Sequence, residues 1–238
     1  MLDLTNLPQV APEYDLRDLL EAGCHFGHQS RRWHPKMAKW IYTEKDGVHI
    51  FDLAKTAAQL QIAYNYAYQL GKNGKNLIVV GTKKQARDVI KEIVVPTGMM
   101  TITSRWLGGL LTNWEQVNKS LRRMLDIEKG LQDGRFEKYT KRERVLLDKE
   151  RARQERFFGG IRELKGKPDA LFVIDPGREK VAVLEANKVG VPMIALIDSN
   201  TDPEMIDIPV PANDDAVRSI TLITQAVVDG YQAGKMAK

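Results

Sequence analysis

Three apolar runs of strand length constrain this chain more than any other feature: NLIVVGT at 76–82, ALFVID at 170–175 and VPMIALID at 191–198. Runs without polar alternation suit strands that are covered on both faces. The first two lead directly into helix-like segments, the second of them near Glu179–Lys188. The third is followed by a short IPV at 208–210 and a helix from about Asp214 to Gly230. Repeated strand-then-helix units build a mostly parallel sheet with helices on its faces. The predicted class is therefore α/β with a helix-flanked, flavodoxin- or Rossmann-like sheet.

The segment ahead of these runs has a different grammar. WIYT and VHIF, within Trp40–Phe51, flank a turn containing Asp46-Gly47 and predict a hairpin. Asp52 is placed to cap a helix running to about Leu70, with Leu53, Ala57, Leu60, Tyr64 and Ala67 on one face and Gly71 ending it. A short amphipathic stretch at Tyr14–Gly23 precedes the hairpin, and Thr82 with Gln85 matches a capping box for the helix after the first apolar run.

Between the first and second apolar runs lies a cationic insertion, opened by RWLGGLLTN at 105–113 and closed by FFGG at 157–160. Thr112 with Glu115 and Thr140 with Glu143 satisfy the capping-box pattern, and GLQDGRF at 130–136 supplies a turn. Two antiparallel helices follow, a coiled-coil hairpin over 106–160 inserted into an α/β domain made of 1–105 and 161–238. Val117, Leu121, Met124 and Leu131, facing Val145 and Ala152, suffice for a narrow seam but not for a core. Trp114–Gly160 holds 13 Lys/Arg against 9 Asp/Glu, whereas Asp169–Lys238 holds 6 against 11. That polarity predicts a basic projection for nucleic acid phosphates and an acidic C-terminal part facing solvent or protein neighbours.

Composition removes several classes. At 238 residues with a net charge of +5, the chain is long enough for a normal core and one appendage. A single cysteine, Cys24, excludes an intramolecular disulfide and predicts a small packed hydrophobe in a reducing compartment. The N-terminal residues lack the basic start and apolar run of a secretory signal, and no stretch approaches a membrane span, so a cytoplasmic protein without membrane partners is expected. An α/β nucleotide-binding enzyme would need a backbone cradle for phosphate. No G-x-G-x-x-G follows a strand, and Gly166-Lys167 precedes Pro168 where a P-loop needs Ser or Thr. With no nucleophile elbow either, neither catalysis nor a small-molecule substrate is expected.

Candidate contact residues fall in two places. HQSRRWHPKMAKWIYTEK at 28–45 mixes five Lys/Arg with Trp33, Trp40 and Tyr42. Cations neutralise phosphates and aromatic faces stack on bases, so Arg31, Arg32, Lys36 and Lys39 are expected on RNA with Trp33, while Trp40 packs inward. In RWLGGLLTN, Gly108 and Gly109 permit a tight bend, Thr112 and Asn113 can cap, and Arg105 with Trp106 offers a charge and a flat surface. A metal reading also exists. His28, Asp198 and Asp215 lie where loops after strand ends converge and could meet around a divalent ion such as zinc; in the alternative, these groups only hydrogen-bond and cap.

GCHFGHQ at 23–29, HPKM at 34–37, VHIFDLAKT at 48–56, VGTKKQA at 80–86, RWLGGLLTNW at 105–114, PDALFVID at 168–175, EAN at 185–187 and NTDPEMIDIPVPANDDAVRSI at 200–220 recur in one order. Through them the chain closely resembles the S-two family of bacterial small-subunit ribosomal proteins. That resemblance implies an α/β domain with a protruding helical hairpin, assembled on small-subunit rRNA beside other ribosomal proteins, including in some bacteria the large first protein of that subunit. It implies a structural role in translation with no required cofactor. On this reading Lys83, Lys84 and Arg87, Arg105, Trp106 and Asn113 join the 31–39 residues as RNA contacts. A free RNA-binding regulator using the same surfaces is the further alternative.

Overall fold

The computed structural model describes residues 4–237. α1 (Leu16–Glu21) is followed by β1 (Phe26–Gln29), β2 (Ile41–Lys45) and β3 (Val48–Phe51), which form a small antiparallel sheet in the order β1-β3-β2. The predicted hairpin is β2–β3, turning at Asp46 and Gly47, both with positive φ. β1 has no apolar alternation and is an addition that periodicity did not predict.

α2 (Leu53–Lys72) starts at Asp52, whose carboxylate accepts from the Ala54 amide at 3.1 Å. Then come β4 (Leu77–Val80), α3 (Lys84–Val89, continued by a π turn), β5 (Met100–Ile102), α4 (Trp114–Gln132), α5 (Lys141–Phe158), β6 (Ala170–Ile174), α6 (Lys180–Val189), β7 (Met193–Ile197), β8 (Ile208–Pro211) and α7 (Val217–Met236). The five-stranded sheet runs β5-β4-β6-β7-β8, all parallel, with Ile78 beside Leu171 and Leu171 beside Met193. Numbered by appearance this is the order 2-1-3-4-5 of flavodoxin-like doubly wound sheets, so the predicted class holds.

Alternate strand residues divide the core. Leu77, Val79, Phe172 and Ile174 pack with α2, α3 and α7, while Ile78, Val80, Leu171 and Val173 pack with α6, the hairpin base, Trp40 and Phe51. Cys24 is fully buried on the first side, as its type suggested.

Gly71 does not end α2. A Cβ there would stand 2.1 Å from the Tyr231 carbonyl, and one on Gly234 would stand 2.0 Å from that of Tyr68. These glycines let α2 and α7 cross with their backbones in contact. Gly234→Ala should therefore lower unfolding free energy by about 3 kcal/mol or prevent folding, since overpacking against backbone has no side chain to yield. Gly166→Ala, where a Cβ meets nothing within 4 Å, should leave the urea midpoint unchanged within error.

Candidate nucleic-acid interface

A doubly wound sheet offers ligands one crevice, outside the strand carboxyl ends where strand order reverses. Here that place lies between β4 and β6, and a cluster of the protein's own charges occupies part of it. Lys83, next to the end of β4, reaches Asp175 after β6 at 3.3 Å and Asp214 and Asp215 after β8 at 2.5 and 2.6 Å. Burial works against the Lys83 ammonium, but these carboxylates more than offset it and raise its pKa. Asp214 is wholly buried. Burial and the charges of Asp175 and Asp198 push it up to about 7, with Lys83 opposing. Carboxylates outnumber cations in this cluster, and desolvation with like charge nearby disfavours the ionised form of the buried Asp214.

His28 of β1 closes the same cluster from the small sheet. Its Nδ1 lies 3.0 Å from Asp198 and its Nε2 3.8 Å from Asp215, and its backbone amide donates to Asp198 and to Ser199 Oγ, each at 2.9 Å. The hydrogen bond to Asp198 raises the imidazole pKa despite burial. Of the predicted metal set, His28 and Asp198 come together, and the third oxygen within 4.8 Å of both belongs to Asp214 rather than Asp215. Asp215 is half exposed and turned to Lys83. The Asp214 Oδ2 is buried without a hydrogen-bond partner among the described residues.

Two further buried carboxylates fix the approach to the hairpin. Glu185 of α6 accepts from the Trp106 indole at 3.3 Å, from the amides of Gly109, Leu111 and Thr112 at 2.6, 3.0 and 3.2 Å, and from the Thr112 hydroxyl. Burial would raise its pKa, but these donors outweigh burial and lower it. Glu179 accepts from the Thr82 amide and hydroxyl, and burial raises its pKa. The capping boxes expected at Thr82 and Thr112 are therefore absent, because both hydroxyls are taken by these carboxylates. Thr140 with Glu143 does form its box. Four of the eleven C-terminal acids are thus internal: Glu179, Glu185, Asp198 and Asp214 are buried, while the others are half-buried or exposed.

The predicted RNA residues separate accordingly. Lys83 and Trp106 are buried and engaged internally, so neither presents a surface to phosphate or base. Arg31, Arg32, Trp33, Lys39, Lys84, Arg105 and Asn113 are exposed, and Arg87 is half-buried with Nε donating to the Thr82 carbonyl. Lys36 is exposed but paired with Asp202 at 3.2 Å and with Glu204. Lys39 lies over the Trp40 ring, which packs inward as expected. Arg32, Lys84 and Arg105 have no acidic partner among the described residues.

On the hairpin, Lys119, Lys141, Arg142, Arg144, Lys149 and Arg153 are likewise exposed and free of acidic partners among the described residues. Val117, Leu121 and Met124 are buried, joining Phe158, Ile161 and Leu164 at the base. Val145 and Ala152 are exposed instead, because α5 turns Leu147, Arg151, Gln154 and Phe158 inward. Arg162 ties the base together by reaching Glu128 of α4 at 3.0 Å and Glu155 of α5. Sequence reasoning missed Arg178, which lines a recess with Thr82, Arg105, Trp106 and Gly108; its only signal was a basic residue just after the second apolar run.

Residues 19–234 match the family model for Ribosomal protein S2, and the chain belongs to that family. No helix among the described residues is long and apolar enough to cross a membrane.

Glu185→Gln should cost about 2 kcal/mol of stability at pH 7, the worth of hydrogen bonds to an ionised acceptor. The folded pKa of Glu185 lies below its ordinary 4.5, so its contribution is present above that value and is lost as pH falls through the folded pKa. Urea titrations of the two proteins should therefore converge as pH falls below 4.5.

Proposed function

We propose that this member of the ribosomal protein S2 family is a structural constituent of the small ribosomal subunit that holds rRNA by its backbone phosphates. The contacts assigned are the exposed cations Arg31, Arg32, Lys39, Lys84 and Arg105, the half-buried Arg87, and the outer face of the α4–α5 hairpin, with Trp33 stacking and Asn113 at the hairpin base. One observation carries this reading: Arg32, Lys84 and Arg105 are exposed with no acidic partner among the described residues, whereas Lys83 is already paired with Asp175, Asp214 and Asp215. A scaffold needs a rigid body and free surface charge, and recognition then follows the folded shape of the RNA. Exposed Val145 and Leu146 on α5 suit a protein neighbour beside the RNA. The setting is the cytoplasmic ribosome, with no catalytic step and no required cofactor.

The double substitution Arg31→Ala with Arg32→Ala should weaken binding to small-subunit rRNA and reduce the slope of log K against log salt by roughly one for each phosphate no longer neutralised. Filter binding at several salt concentrations measures this, and an unchanged slope removes these two residues from the interface.

A second reading attaches to the unpartnered Asp214 Oδ2: a divalent cation such as zinc held by His28, Asp198 and Asp214. One imidazole and two carboxylates suit zinc. Elemental analysis of the purified chain should find near-stoichiometric metal that a chelator removes with a fall in melting temperature. Less than a trace of metal, with no response to added zinc, rejects it.

A further inference from the structure

One groove lies away from every cation discussed above. It has a volume of about 590 Å³ and runs between the Pro12–Asp15 segment, α1, Tyr64 of α2 and the Arg218–Asp229 face of α7. The amides of Val10 and Ala11 donate to the buried Asn65 side chain at 3.0 and 2.8 Å, which straps the N-terminal wall in place. Tyr14, Leu19, Ala22, Tyr64, Leu222 and Ala226 give it an apolar floor. Glu13, Asp15, Asp18, Glu21 and Asp229 form the rim, with Arg218 as the one lining cation. In a chain of net charge +5, this lining has five acids against one base, a net of −4. None of the rim carboxylates has an ion-pair partner among the described residues. The Tyr14 hydroxyl is buried without a hydrogen-bond partner there, and burial together with the Asp229 charge raises both the Tyr14 and Tyr64 phenols.

We propose that this groove docks a Lys/Arg-rich segment of another protein, whose apolar side chains fill the floor while its cations meet the acidic rim. RNA is the wrong partner here, since the rim repels phosphate. Tyrosine faces beside carboxylates also suit ammonium and guanidinium groups. The inference stands on the groove's own chemistry and is independent of the rRNA reading. It adds a protein-binding face of opposite charge to the RNA-binding one.

The test is fluorescence anisotropy on the full chain with a fluorescein-labelled peptide of alternating Lys-Lys-Leu-Leu blocks. The comparators are an oligolysine of equal charge and a Glu-Glu-Leu-Leu peptide. Saturable binding of the first is expected, with oligolysine at least tenfold weaker and the acidic peptide silent. Asp18→Lys with Asp229→Lys, both at exposed positions, should weaken binding at least tenfold while the circular dichroism melt stays in place. Equal binding of oligolysine, or no weakening in the double variant, overturns the docking site. So does a dimer of the peptide-free chain that the double variant abolishes, because that would give the groove to the basic hairpin of a second copy. RNA binding that requires the groove would overturn it as well.

Discussion

Burying one ammonium among several carboxylates is the constraint on which the α/β body depends. Lys83 lies just after β4, next to the central strand β6, and its partners come from the loops after β6 and β8. A charge taken out of water costs several kcal/mol unless it is paired. Each loop must therefore hold its carboxylate in place if the others are to stay buried. His28 extends the same requirement to the small sheet through Asp198, so the two sheets are joined by polar bonds as well as by Phe51 and Trp40 in the core.

Rigidity at the strand ends is passed to the hairpin by a second buried acid. Glu185 gathers the donors of the 106–112 loop, and Arg162 ties α4 to α5 where they leave the body. Only then do the helices run outward with a thin seam and a charged exterior. The charge segregation is thus a partial division of labour: four of the eleven acids in Asp169–Lys238 are buried in the interior, and unpaired bases lie on the surface. The acidic groove beside α1 differs: its carboxylates are exposed and none is in an ion pair among the described residues, although Asp15 caps α1.

Most of the architecture was legible because apolar runs and helical spacing are local signals. The β4, β6 and β7 strands, α2, α6, α7 and the hairpin all follow from them, as does the Thr140 cap. What failed depended on contacts far away in sequence. Thr82 and Thr112 carry correct capping spacings, yet Glu179 and Glu185, dozens of residues later, claim their hydroxyls. Lys83 reads as a surface cation in GTKK until Asp214 arrives from β8, and Trp106 as a stacking face until its indole meets Glu185. Gly71 resembles a helix stop because the partner helix that needs its missing side chain begins far downstream. On α5 so many positions are charged that spacing alone did not fix which stripe faces α4. The exposure of candidates such as Arg32 and Arg105 was legible for the opposite reason: no acidic group among the described residues pairs with them.

The most direct test of the scaffold account is to sediment the tagged full-length chain from a lysate through a density gradient, probing each fraction for the protein and for small-subunit rRNA. Co-migration with the small subunit at moderate salt, released as salt is raised, is the predicted result, because phosphate contacts weaken with salt. A chain found only at the top of the gradient at every salt concentration would contradict the account.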